Sequence, residues 1–290
     1  FRGEWQSTHT QALIAAAARL RDASATLQRN AAAQEQASAA DGGAASASGA
    51  GAASGTGGSV AIPIEGTPKE VEEWWRNLTD ADRERLLTSL PTMFGNMDGI
   101  PLEDRVTANA LTAEARLQES GLSDAERAYL QAVVDGDRQL AVYHPSEDRI
   151  VEMFGTPGPD TREVIMYLPG TGANMEAFQN GSLQQVGAYL TQKDPSGTVA
   201  FVYKDGPWAD WTFIGPHGNA NNGYIAEVGE RVNGFTNALA TDPALGNYEL
   251  NGIAHSAGMS YLSSSEVAGT SYNNVLSLGG SYLAEGWKAN

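Results

Sequence analysis

Apolar and polar positions along this chain change their period twice. Over 1–38, Leu13, Ala16, Ala17, Leu20, Ala23 and Leu27 recur at spacings of three and four. That spacing predicts a helical segment with a narrow face of small side chains, suited to packing on a partner helix. Over 39–62 the pattern dissolves into Gly, Ala and Ser, with no large apolar residue before Val60. Burial there does not offset chain entropy, so 39–62 is expected to be a flexible linker and a domain boundary. A helical lead-in follows over 63–135. In "TPKEVEEWWRNLTDADRERLLTSLP", Thr67 and Pro68 read as a cap and first helical residue, Thr79 with Asp82 opens a second helix, and Pro91 closes it. Trp74 and Trp75 read as core anchors, and "FGNMDGIP" (94–101), with Asp98, as a turn.

After Gly136 the period shortens. "RQLAVYHP" (138–145) and "RIVEMFG" (149–155) alternate like a strand pair. "EVIMYLPG" (163–170), "GTVAFVYKDG" (197–206), "YELNGIAH" (248–255) and "NNVLSLGG" (273–280) are continuous apolar runs. Helical patterns at 182–192, 223–240 and 257–269 separate them. Buried strands alternating with amphipathic helices predict an α/β core over 136–290, with a mostly parallel sheet and helices on both faces. Ligands of such sheets bind at the carboxyl ends of the strands, where "LPGTG", "YKDGPW" and "AHSAG" fall.

Composition narrows the function. The chain has 290 residues, 41% of them apolar, and carries 35 acids against 18 bases, a formal net charge of −17. Such a surface repels nucleic acid and anionic lipid. No apolar run approaches the ~18 residues of a membrane span. With no cysteine, the chain has no disulfide, thiolate metal site or Cys nucleophile. It opens on Phe1 without an initiator Met, and is expected to be a processed or cut piece of a longer product.

In "GIAHSAG" a strand runs into Ser256, and a helix leaves through Ala257 and Gly258. This is the context of the α/β-hydrolase nucleophile elbow, where small residues flank a strained Ser, here Ala254 and Gly258. Ser256 is therefore the candidate nucleophile, against the plainer reading of a helix cap. Acyl transfer also needs donors aimed at the developing oxyanion. The Ala257 N–H is one, and Thr171 or Gly172 in "LPGTGAN" the other. The same turn lacks the Lys and Ser/Thr spacing of a P-loop. Trp208, Trp211 and Phe213 form either an apolar substrate wall or packing beneath a long loop, whose Asn/Gly tail suggests mobility. No metal or cofactor is called for.

The base is harder to place. His217 lies in "GPHGNANNG" near the strand ends and is a candidate base, while His255 is expected to pack or hydrogen-bond beneath the elbow. The usual order is Ser, acid, His, yet only Glu266 and Glu285 follow Ser256 as acids, and no His follows it. Either the core is C-terminally incomplete, about two strands short, or the domain performs no triad chemistry; the first is the working expectation.

The stretch "WWRNLTDADRERLLTSLPTMFGNMDGIPLEDRVTAN", then "LPGTGAN", then "AHSAGMS" resembles a bacterial α/β-hydrolase family of largely unassigned function. The resemblance spans about Trp74 to Gly280. It implies an elbow serine at Ser256, an oxyanion hole at Ala257 and the 170–172 turn, and export to the cell envelope or beyond. The N-terminal "FRGEWQSTHTQALIAAAARLRDASATLQ" resembles the helices of small WxG-type proteins of type VII secretion, although Gly3 and Trp5 stand in a different order. The expected activity is esterase- or lipase-like hydrolysis of a small-molecule or lipid-like ester. A partner helix, or a second polypeptide with the rest of the triad, is the expected partner. The alternative is a non-catalytic hydrolase-fold module in a secreted or surface assembly.

Overall fold

Local chemistry explains how the lead-in begins. In the computed structural model, which describes residues 62–212 and 215–289, Thr67 and Glu70 form a reciprocal capping box on α1 (Pro68–Arg76). The Thr79 hydroxyl accepts from the Asp82 N–H to start α2 (Asp80–Ser89). Pro91 ends that helix and opens the single turn α3 (Pro91–Phe94). The longer α4 (Leu102–Leu117) and α5 (Asp124–Val134) follow, the latter capped by Ser123. Trp74, Trp75 and Phe94 pack as an aromatic cluster with centroids 5.4 to 6.1 Å apart. The Trp75 indole N–H donates to Asp104 at 2.6 Å. Asp98 pairs with the buried Arg105 at 3.0 Å.

Six strands form one sheet: β1 (Gln139–His144), β2 (Arg149–Phe154), β3 (Glu163–Leu168), β4 (Thr198–Asp205), β5 (Glu249–His255) and β6 (Asn274–Leu278). Their order is β1-β2-β4-β3-β5-β6. β2 alone runs against the rest, antiparallel to both β1 and β4. The pairings β3–β4, β3–β5 and β5–β6 are parallel. The class is α/β with a mostly parallel sheet.

Successive side chains of a strand point to opposite faces, and here both faces are covered. Val164, Met166, Leu168, Phe201 and Tyr203 join the core under α8 (Asn222–Leu239) and α9 (Gly258–Ala268). Tyr167 and Val202 join a second core with Tyr129, Leu130 and Val133 of α5, and with Phe178 of α6 (Met175–Gln179). Val186 and Leu190 of α7 (Gln184–Thr191) pack on that core. Each large side chain fully buried in this way stabilises the fold by roughly 1.5–3 kcal/mol. The lead-in helices and the sheet belong to one compact unit, residues 63–290.

One helix was not expected, and one expectation needs adjusting. The short α6 has too few residues for its period to stand out; its start is marked by Asn174, whose side chain accepts from the Ala177 N–H. The "NNVLSLGG" run forms β6, but β6 is exposed along its length rather than buried. It is the last strand in the sheet order, so nothing among the described residues pairs with its outer edge. The predicted helical segment 1–38 and all but the last residue of the linker 39–62 lie outside the described residues.

Candidate active site at the carboxyl ends of the strands

β5 ends at His255 and α9 begins at Gly258, which leaves two residues to reverse the chain. Ser256 makes that reversal with φ of +50°, one of two non-glycine residues with positive φ among the described residues. A non-glycine side chain there costs of order 1–3 kcal/mol, which surrounding contacts must hold in place. They do. The Ser256 N–H donates to the Leu278 carbonyl at 3.1 Å, and its carbonyl accepts from Met259 and Ser281, each at 3.1 Å. Ser256 is half-buried, and its hydroxyl has no hydrogen-bond partner among the described residues.

The turn after β3 lies directly against this elbow. A β-carbon on Gly170 would stand 3.1 Å from the Ser256 Cβ and 2.8 Å from His255 Nδ1. Small residues at 170 and 258 are therefore what allow the two chain segments to meet. Ala257, the residue after Ser256, is buried at the head of α9, and its N–H has no acceptor among the described residues. The donors in the turn divide. Gly172, at φ +84°, gives its N–H to the Ala209 carbonyl at 2.8 Å, so it is not available to an oxyanion. The Thr171 N–H has no such acceptor, while the Thr171 hydroxyl donates to Asn219 Oδ1 at 3.1 Å. Across the turn and the elbow, Gly170, Thr171 and Ala257 each keep an N–H without a backbone acceptor among the described residues.

The aromatic residues separate as well. Trp208 is 4% exposed and packs on Tyr261 with centroids 4.6 Å apart, its indole N–H donating to the Pro169 carbonyl at 3.0 Å. It is core, not wall. Trp211 is 84% exposed, and its Nε1 lies 3.3 Å from where a Gly172 β-carbon would be. It stands over the turn as an open aromatic surface. Phe213 lies outside the described residues.

No histidine makes a hydrogen bond to Ser256 among the described residues. His217 packs at a tilt against Tyr224, with centroids 4.6 Å apart, and no hydrogen bond joins it to the elbow. His255 is exposed rather than packed beneath the turn, since it ends β5 beside the uncovered β6. Glu266 accepts from the Trp287 indole at 2.7 Å, and Glu285 from Asn222 at 3.0 Å; neither meets an imidazole. No group of three or more His, Asp or Glu suited to a metal occurs among the described residues. No helix among them is long and apolar enough to cross a membrane.

The loop from Gly206 to Asn221 contributes what local sequence did not announce. Its described part is tied down, not loose. The Asp210 N–H donates to the His217 carbonyl at 3.3 Å, and Asp210 bridges to Gly218. The Asn221 side chain caps α8 by accepting from the Tyr224 N–H at 3.1 Å. Asn219, the partner of Thr171, is one asparagine among several in "GNANNG", and no spacing singles it out.

No family model matches the chain, and no solved structure matches it. Two proteins of Mycobacterium tuberculosis, uncharacterized protein MT2140 of strain CDC 1551 / Oshkosh and uncharacterized protein Rv2079 of strain H37Rv, are each 41% identical to it over 51 residues. That stretch is 17% of this chain and spans 8% of the length of either relative.

Proposed function

We propose that this chain carries the nucleophile and oxyanion hole of a serine hydrolase acting on ester or related acyl bonds, on an α/β-hydrolase-like sheet. The observation that carries the reading is Ser256. It is a non-glycine residue in a left-handed turn between a parallel strand and a helix, with an unpartnered hydroxyl. Backbone strain of this kind concentrates at functional sites. The strand order β1-β2-β4-β3-β5-β6, with β2 reversed, supports the same fold reading.

In the proposed reaction the Ser256 hydroxyl oxygen attacks the acyl carbon and passes its proton to a base. The Ala257 and Thr171 N–H groups stabilise the oxyanion, each such donor contributing up to about 10²–10³ in rate. The alcohol leaves with that proton, and water then releases the acid from the acyl-enzyme. The base comes from a segment or second polypeptide outside the described residues. Trp211 offers an apolar wall to a small or lipid-like acyl group, and the site calls for no cofactor. The extracellular or cell-envelope setting belongs to the same proposal. An alkyl fluorophosphonate tests the reading: native protein is expected to gain one adduct, mapped to Ser256 and lost in Ser256→Ala. Absence of any adduct at Ser256 in native material refutes it.

One observation favours a second reading. No imidazole is hydrogen-bonded to Ser256 among the described residues, which fits a non-catalytic module that uses the same sheet as a scaffold. Failure to label, with the fold intact, favours that module.

A further inference from the structure

The turn 168–172 is held by three separate bonds, all from the loop 206–221. The Trp208 indole donates to the Pro169 carbonyl at 3.0 Å, and the Gly172 N–H donates to the Ala209 carbonyl at 2.8 Å. These come from the outgoing limb of the loop. The third comes from the returning limb, where Asn219 Oδ1 accepts the Thr171 hydroxyl at 3.1 Å. Asn219 is itself held on both sides. Gly218 bridges to Asp210, and Asn221 is fixed as the cap of α8, its amide also donating to the Pro216 carbonyl at 2.9 Å.

The Thr171–Asn219 bond joins residues 48 apart in sequence. It acts on a residue of the turn whose N–H has no backbone acceptor among the described residues and whose neighbour Gly170 lies against the elbow. A hydroxyl engaged with an amide oxygen has no proton left to donate to a substrate. Any oxyanion donor at 171 is then the backbone N–H, whose direction depends on how the turn is held. Preorganised donors need their orientation fixed before the reaction.

Resting on the hydrolase reading above, we infer that Asn219 is a positioning residue: through the Thr171 side chain it locks the 170–172 turn against Ser256, so that the Thr171 N–H is set for the oxyanion. It touches no reacting atom and acts only through Thr171.

A double-mutant cycle on the native protein tests this, read by the rate of Ser256 labelling with an alkyl fluorophosphonate. Asn219→Ala and Thr171→Val each remove one side of the bond, and each is expected to slow labelling about fivefold, the worth of one neutral hydrogen bond. The double variant is expected to be no slower than the slower single, because both changes delete the same interaction. Thr171→Ser keeps the hydroxyl and restores the wild-type rate. In parallel, amide hydrogen exchange over 168–173 is expected to quicken about fivefold in both singles. Additive effects, or an unchanged rate and exchange in Asn219→Ala, overturn the inference. Should Asn219→Ala fail to fold, Thr171→Val carries the test, since valine keeps the shape of threonine. Should the wild-type protein not label at Ser256, the hydrolase reading falls, while the exchange result still decides whether Asn219 locks the turn.

Discussion

Gly258 passes so close to Leu168 that a β-carbon on it would lie 2.2 Å from the Leu168 carbonyl oxygen and 2.7 Å from that of Pro169. The first turn of α9 is thereby pressed onto the end of β3, bringing the Ser256 elbow to the 168–172 turn. Both obstacles are backbone atoms, so neither can swing aside. Gly258→Ala is expected to lose at least about 2 kcal/mol of stability, in the range of overpacked cores. Gly246→Ala, where a β-carbon meets nothing within 4 Å, is expected to change it by no more than about 0.5 kcal/mol. Urea unfolding of both variants checks this, and equal midpoints would show that the elbow is not packed as described.

The φ of +50° at Ser256 makes a second prediction separable from chemistry. Ser256→Ala removes the hydroxyl and keeps the strained backbone. Ser256→Gly removes both, at some cost in unfolded-state entropy. With about 1–2 kcal/mol of left-handed strain relieved, Ser256→Gly is expected to be more stable than Ser256→Ala by about 1 kcal/mol. Neither variant is expected to label. A glycine variant no more stable than the alanine one would deny strain at the elbow.

The centre and the β6 edge of the sheet should respond differently to truncation. Met166 on β3 is fully buried, whereas Leu276 on β6 is 52% exposed. Met166→Ala is expected to lose about 2–5 kcal/mol, the usual cost of emptying a core site. Leu276→Ala is expected to lose less than about 1 kcal/mol, because little packing is removed. Chemical denaturation of the two variants is the measurement. A comparable loss at Leu276 would mean that β6 is covered in solution.

These contrasts mark what was legible in the sequence. "EVIMYLPG" announced β3, because a parallel strand buried on both faces reads as a near-continuous apolar run. "YELNGIAH" announced β5 by its middle residues, although Glu249 and His255 at its ends are exposed. Ser256 stood out because a strand-to-helix reversal requires small neighbours, and Ala254 and Gly258 supply them. The burial of Trp208 did not stand out, nor did the loss of the Gly172 donor to Ala209 or the Thr171–Asn219 bond. Each depends on a contact between residues about 40 positions apart. The exposure of β6 was equally hidden, since "NNVLSLGG" has the composition of an interior strand.

Glu152 on β2 offers a pH-dependent check on the second core. It is buried and accepts from Arg138 at 2.8 Å, Tyr129 at 2.9 Å and Gln184 at 3.1 Å. Burial pushes its carboxyl above the usual value of 4.5, with the Arg138 guanidinium and the three hydrogen bonds opposing that rise. A raised pKa means that the folded chain still holds a proton where the unfolded chain has lost it. Folding therefore takes up a proton between 4.5 and the raised value, and lowering the pH through that window favours the folded state. Glu152→Gln removes the titration and keeps the size. The stability of the wild type relative to Glu152→Gln is expected to rise as the pH falls from about 7 toward 4.5, and to level off below. Urea midpoints of both proteins across that range decide the matter. A difference that grows in the opposite direction would mean that the Arg138 pairing outweighs burial, and that Glu152 is held charged in the core.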